Sequence, residues 1–324
     1  MYLAESLRNR IEEALRAEQF LGKPFELYDP IAYTLSQGGK RIRPLLALIS
    51  CAMFDGEVED AIEPAKGIEF FHNFTLLHDD IMDQAALRRG NPTVWKKWNT
   101  DRAILSGDTM FVLAYEKISK VRPDILPEIL ELFNITARQV CEGQQLDMNF
   151  ETNPEVSTDE YLEMIRLKTA VLIACSLKLG ALVARTSVEN ADMIYRFGIQ
   201  LGMAFQTRDD FLDVFGRHDK VGKEIGGDIV TRKKTYLYLT AFNRAKGDDL
   251  IRLTYYFHEP GIPLEEKIHQ VRNLYLKTGV DKLTQETIES YSQEALHLLK
   301  QIPVDEDKKI PLRNLVNEML DRDY

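Results

Sequence analysis

The sequence predicts an all-α protein built as one large helical domain. Three observations carry this. Apolar residues recur at helical spacing, as Leu7, Ile11 and Leu15 do in the first segment. Runs of alternating β-branched residues are few, and no Asn-Gly or Asp-Gly turn is flanked by them. Glycine and proline breakers separate the remaining segments into stretches of roughly 15–25 residues, lengths that suit a large bundle.

In chain order the breakers fall at residues 22–30, 36–44, 88–92, 121–127, 152–158, 215–228 and 259–263. The first segment alternates charged and apolar residues and lacks the continuous apolar run of a signal peptide. The run at 45–54 is the longest uninterrupted apolar stretch, and it is too short to span a bilayer. The stretch 169–184 is also richly apolar but carries Lys178, and both read as buried helices. No break resembles a domain linker, so residues 1–324 are expected to form a single domain.

Composition narrows the function classes. Hydrophobic residues make up 44% of the 324, enough for a substantial core. The net charge of −10, from 51 acids against 41 bases, disfavours nucleic acid as a partner. An acidic chain still binds phosphates where its Lys and Arg are focused locally. Cys51, Cys141 and Cys175 are widely spaced and predict reduced, buried thiols in a cytoplasmic protein.

Two aspartate clusters share one spacing: Asp79, Asp80, Asp83 and Asp209, Asp210, Asp213. Each follows an apolar-periodic segment that reads as helix. On a helix, residues four apart share a face, so Asp79 points with Asp83 and Asp209 with Asp213. Like charges at that spacing repel, and a divalent cation offsets the repulsion. Hard carboxylate oxygens suit Mg²⁺, which keeps several waters and shares a substrate's phosphates. A single such cluster is as readily a solvated helix face. Two copies, each below a buried helix, favour the metal. Gly202 and Gln206 continue the second cluster upstream as a polar stripe, which suggests a lined cavity.

Basic groups accompany the acids. Residues 38–44 place Lys40, Arg41 and Arg43 beside two glycines, which allow close backbone approach to an anion. Arg88 and Arg89 follow the first cluster; Lys223, Lys233 and Lys234 follow the second. Each alone is an exposed basic loop. The spacing of a phosphate loop is absent, as is a dinucleotide fingerprint. Together, acids and bases imply a metal-bridged diphosphate, and the apolar helices imply a greasy remainder on the same ligand.

With these motifs in hand, the chain resembles the trans-isoprenyl diphosphate synthases, or polyprenyl synthetases. GGKRIRP, LLHDDIMDQAALRRGNPT, GD at 107–108, KT at 168–169, FQTRDDFLD, GKEIGGD and KKT occur in family order between about residue 30 and about 240. The resemblance implies an all-α bundle around a deep central cavity, normally a homodimer. It implies Mg²⁺, three ions per site with substrate bound and Mn²⁺ as an alternative, held by Asp79, Asp80, Asp83, Asp209, Asp210 and Asp213. Arg88, Lys168, Lys223 and Lys233 would neutralise the diphosphate of an allylic substrate. The Lys168 carbonyl, Thr169 and Gln206 would aim dipoles at the allylic cation. Isopentenyl diphosphate would lie on Lys40, Arg43, His72 and Arg89. No role follows for His78. The implied reaction is ionisation, condensation and elimination, with the departing diphosphate taking the final proton.

A growing chain would run down between the helices, where one turn is about 5.4 Å. Helix geometry puts Thr75 most directly under Asp79. The family pattern instead makes Phe74, fifth upstream, the floor, with Phe71 another turn below. A ring at the floor predicts a short product, C15 or C20, and the small Thr75 tilts the expectation to C20. A longer-chain synthase, a terpene cyclase of the same fold and a non-catalytic partner subunit are the competitors. The second DDFLD motif and the basic set speak against a cyclase, and two intact clusters speak against an inactive partner. A plain helical scaffold with acidic surfaces predicts no Mg²⁺-dependent activity. The C-terminus lacks the strongly basic tail of some members, and only Arg322 stands near it.

Overall fold

The computed structural model describes residues 2–153, 155–216 and 226–320. Helix dominates, as the periodicity requires. Helices α1 (Tyr2–Arg16), α2 (Phe25–Ser36), α3 (Ile42–Met53), α4 (Val58–Met82), α5 (Val94–Lys97) and α6 (Thr100–Ile118) come first. They are followed by α7 (Leu126–Thr152), α8 (Thr158–Ile165), α9 (Val171–Val183) and α10 (Val188–Phe215). After the gap come α11 (Gly227–Val230), α12 (Tyr236–Arg244), α13 (Asp248–His258), α14 (Leu264–Thr278), α15 (Val280–Gln301) and α16 (Glu306–Leu320).

The breakers act much as expected, with two differences. Residues 22–30 are not all loop: α2 begins at Phe25 and carries Pro30 inside it. Pro24 occupies the N-cap, and Pro30, Ile31, Thr34 and Leu35 are buried together, so burial outweighs the hydrogen bond that Pro30 cannot make. Residues 88–92 form a minimal hairpin, Leu87–Arg88 antiparallel to Asn91–Pro92. Its two central residues, Arg89 and Gly90, have positive φ of 54° and 77°, which so tight a turn needs. At 152–158 the break is sharpened by a capping box between Ser157 and Glu160, which starts α8.

The chain divides into two compact units, one of residues 1–134, 175–194 and 303–312, the other of 135–174, 195–302 and 313–324. In the first, α4 packs along α6 and against α3. Gly67 permits the close approach of α4 to α6, since a Cβ there would meet the Ala114 carbonyl oxygen at 2.8 Å. A charged cluster reinforces this packing: Lys117 Nζ donates to Glu18 at 2.5 Å, Lys120 Nζ to Glu63 at 3.0 Å, and Lys66 to both acids. In the second unit, Phe150, Tyr161, Ile165, Met203, Leu237, Phe257 and Tyr275 are among the buried residues of a shared core.

Between α8 and α9 the helix widens. Arg166–Ala170 form a π-helical turn. Two glycines make room for it: a Cβ on Gly143 would meet Leu167 C and Lys168 Cα at 2.8 Å, and one on Gly202 would meet Ala170 Cα at 2.5 Å. π-turns are rare and concentrate at functional positions. This one carries Lys168 and Thr169.

Candidate active site

The aspartates of the first cluster end helix α4. Asp79 and Asp80 lie in its last turn, and Asp83 is the C-cap, its N–H donating to the Asp79 carbonyl at 2.8 Å. A helix C-terminus is the negative end of the macrodipole, so carboxylates placed there call for cations. Arg88 supplies one. Its Nε donates to Asp80 Oδ1 at 2.8 Å and its Nη2 to Asp79 Oδ2 at 3.3 Å. Asp80 is buried, and burial pushes its carboxyl up to about 6 against the pull of Arg88. Asp83 is exposed.

The hairpin sends its two arginines to different partners, because Arg88 ends a strand and Arg89, with positive φ, begins the turn. Arg89 donates to the Gly38 carbonyl. Gly39, with φ of 136°, leaves the space that the Arg89 guanidinium fills, since a Cβ would stand 2.9 Å from it. Arg43 Nη1 lies 3.2 Å from His72 Nε2. Burial, then Arg43, Arg89, Arg88 and Arg41, hold His72 well below its ordinary value, so the imidazole is neutral at physiological pH. Lys40 is exposed at the start of the same loop. Between Lys40 and Arg43, Arg41 turns inward: it donates to Glu69 at 2.5 Å and to the Leu35 carbonyl at 2.6 Å, wholly buried, with φ of 48°. The first unit thus gathers Lys40, Arg43, His72, Arg88 and Arg89 around the end of α4 and the α2–α3 loop.

Below the aspartates, Phe74 stacks on Phe111 with ring centroids 5.0 Å apart and planes at 23°. Phe71 lies 5.6 Å from Phe74 and 5.2 Å from Phe133. Tyr115 joins Phe111 and Phe133. Thr75 turns its hydroxyl back to the His72 carbonyl at 2.8 Å. His78 contacts the Phe74 ring and reaches the Ile104 carbonyl at 3.2 Å. Gly107 leaves room for its ring.

The second cluster lies near the end of helix α10: Asp213 is in its last turn, and Asp209 and Asp210 are more than a turn before Phe215. Asp210 is buried and accepts from Tyr161 and, at 3.0 Å, from Gln206 Nε2. Burial raises its carboxyl, and these two hydrogen bonds oppose the rise. Asp213 Oδ2 accepts the N–H of Asp228 at 2.9 Å. Thr169 Oγ1 donates to Gln206 Oε1 at 3.1 Å. Lys168 Nζ donates to Asp147 Oδ2 at 2.6 Å, and Lys233 Nζ stands 3.4 Å from the same oxygen. Burial alone would raise Asp147, but Lys233 and Lys168 hold it below the ordinary carboxylate range. Lys234 is engaged elsewhere, donating to the Phe150 and Asn153 carbonyls. Lys223 and Arg322 lie outside the described residues.

Among the described residues, no group of three or more His, Cys, Asp or Glu side chains forms a ready-made metal cage. The donor set still fits Mg²⁺. That ion is typically held by one or two carboxylates with substrate phosphates completing its shell.

A family model described as polyprenyl synthetase matches residues 24–271. The chain belongs to the polyprenyl synthetase family. A geranylgeranyl diphosphate synthase of Methanosarcina mazei is 34% identical to this polyprenyl synthetase over 332 residues, covering 100% of the chain and 99% of the relative. The crystal structure of a geranylgeranyl pyrophosphate synthase superposes with a TM-score of 0.94 at 42% identity, covering 99% of each chain. The geranylgeranyl pyrophosphate synthetase of Pyrococcus horikoshii Ot3 follows at 0.92 and 31% identity, covering 99% of this chain and 98% of that one.

Sequence reasoning missed Asp147, Tyr161 and Phe111. Asp147 is one of several acids on α7 and Tyr161 follows the acidic first turn of α8, so neither stands out as a motif. Phe111 was detectable as half of an i, i+4 aromatic pair with Tyr115.

Proposed function

We propose that the chain is a Mg²⁺-dependent prenyltransferase that condenses isopentenyl diphosphate with an allylic diphosphate and releases a C20 product. One observation carries the reaction class: acids near the ends of two long helices, with cations held close by in each unit. Without substrate, Arg88 is neutralised by Asp79 and Asp80, and Lys168 and Lys233 by Asp147. A bound diphosphate would draw these cations to its own oxygens. Positive charge fixed there favours the leaving group as the allylic C–O bond breaks and its electron pair moves onto the diphosphate.

Mg²⁺, when bound by Asp79, Asp83 and Asp209 with Asp213 beside them, supplies Lewis-acid neutralisation of the diphosphate. Three ions per site are proposed, with Mn²⁺ as a substitute. Thr169, Gln206 and the Lys168 carbonyl present oxygens to the developing cation. Lys40, Arg43, His72 and Arg89 hold isopentenyl diphosphate, whose double bond attacks to form the new C–C bond. The departing diphosphate then takes the proton that restores the double bond. A neutral His72 fits this assignment as a hydrogen-bonding group beside Arg43.

The length assignment rests on the stacked Phe74 and Phe111 rings, a wall that a longer chain would have to displace. The geranylgeranyl synthases among its relatives support the same length. Residues 1–324 are read as one synthase domain, since the Methanosarcina mazei relative aligns with all of it. A homodimer is proposed from helix α6, which exposes Ile104, Leu105 and Val112 by 41%, 58% and 57%. No described helix is long and apolar enough to cross a membrane. A cytoplasmic setting is supported by the three free cysteines, of which Cys51 and Cys175 are buried as expected while Cys141 is exposed on α7.

The test is incorporation of labelled isopentenyl diphosphate into product with an allylic primer, with Mg²⁺ and with excess chelator. Condensation with Mg²⁺ that chelation abolishes is expected. No incorporation with C5, C10 or C15 primers would refute the reading.

A further inference from the structure

The hydrogen bonds around Asp210 decide which end of the Gln206 amide faces Thr169. Thr169, Gln206, Asp210 and Tyr161 form one chain within the second unit. Asp210 Oδ1 accepts from the amino end of Gln206 at 3.0 Å, and the Gln206 carbonyl oxygen Oε1 faces the Thr169 hydroxyl at 3.1 Å. Tyr161, only 2% exposed, fixes the other oxygen, Oδ2, through its phenol. Its ring is packed in the core with Ile165 and Met203. The hydroxyl is thus the one part of Tyr161 that bears on the motif.

We propose that Tyr161 is a positioning residue for the ionisation step: by holding Asp210 it keeps the carbonyl end of Gln206, not its amino end, beside Thr169. This rests on the prenyltransferase reading above. A carbonyl oxygen is the negative end of the amide dipole and stabilises an allylic fragment that is becoming positive; a turned amide would present N–H hydrogens and oppose it. Asp210 then serves as the group that sets a dipole, although its spacing in the motif suggests a metal ligand. The arrangement lies in the catalytic half of the work, so it bears on kcat and leaves substrate and Mg²⁺ binding alone.

The experiment compares the full-length protein with Tyr161→Phe, which keeps the ring and removes the hydroxyl. Helical circular dichroism and melting are recorded for both. We expect kcat to fall roughly ten- to a hundredfold, the range for groups that orient other functional groups. The KM of each substrate and the Mg²⁺ concentration for half-maximal rate stay unchanged. Hydrolysis of the allylic diphosphate without isopentenyl diphosphate slows in parallel. A Tyr161→Phe enzyme with wild-type kcat, or one whose loss lies in KM or in Mg²⁺ requirement, overturns the proposal. If Tyr161→Phe melts below the assay temperature, the exchange Asp210→Asn with Gln206→Glu decides, because a carboxylate at 206 has no amino end to turn. It should recover activity lost in Asp210→Asn alone, and no recovery overturns the proposal. A wild-type protein that condenses nothing refutes the prenyltransferase reading instead, so the two failures are distinct.

Discussion

Phe74 is held by neighbours on two helices. Its ring stacks on Phe111 of α6 and touches Phe71 and His78 of its own helix. An aromatic stack of this kind is worth about 0.5–1.5 kcal/mol beyond its buried area, so a growing chain would not displace it cheaply. Phe74→Ala should therefore lengthen the product by one or more five-carbon units, measured by chromatography of the dephosphorylated prenyl alcohols. Unchanged lengths would remove Phe74 as the floor. Thr75 is bonded back to the His72 carbonyl, which ties its hydroxyl to its own helix. The aspartate pairs stood out in the sequence because charge at i, i+4 below an apolar helix is costly without a purpose, whereas Phe74 was singled out only through the resemblance. Arg41 was not separable from Lys40 and Arg43 in sequence. Only the fold shows it turned inward to Glu69, where it anchors the loop carrying the other two. Asp147 was invisible for the opposite reason: one acid on a long helix has no pattern until two lysines converge on it.

At the scale of elements, local chemistry decides more than propensity does. The hairpin at 87–92 exists because Arg89 and Gly90 accept positive φ, and it separates two adjacent arginines to different hydrogen-bond partners. The π-turn at Arg166–Ala170 leaves no mark in an apolar pattern that reads as continuous helix. Its trace in the sequence is indirect, through Gly143 and Gly202 on the helices packed against it. Gly143→Ala would push a methyl against the Lys168 backbone. Overpacking of this kind costs about 1–3 kcal/mol, so we expect a lower melting midpoint together with a lower kcat from displaced Lys168 and Thr169. Wild-type kinetics in Gly143→Ala would show that the turn does not depend on that close approach. Pro30 shows the limit of breaker rules, because a buried face carries a helix through a residue that weakens it.

At the scale of the whole molecule, an excess of ten negative charges is compatible with the proposed diphosphate site because Arg88, Lys168 and Lys233 are concentrated beside the acids Asp80 and Asp147. The same acidity shapes stability. Burial would raise Glu63, but hydrogen bonds from Lys66 and Lys120 lower it from the ordinary 4.5 to about 2. A carboxyl depressed on folding adds stability that is complete above its unfolded value and is lost as pH falls toward its folded one. The melting midpoint should therefore drop between pH 4.5 and about 2. Glu63→Gln should flatten that drop relative to wild type, and an equal slope in both proteins would contradict the role of the cluster. Fold class was legible from periodicity alone, because every long segment repeats at helical spacing. The aromatic wall was only half legible, since it needs α4 and α6 to meet and no single segment records that meeting. The central claim is a short-chain prenyltransferase with its floor at Phe74. It is tested most directly by incubating the protein with Mg²⁺, isopentenyl diphosphate and a C15 allylic primer, then sizing the products. A C20 product as the end point is predicted; chains that grow well past C20, or no elongation of any primer, would contradict it.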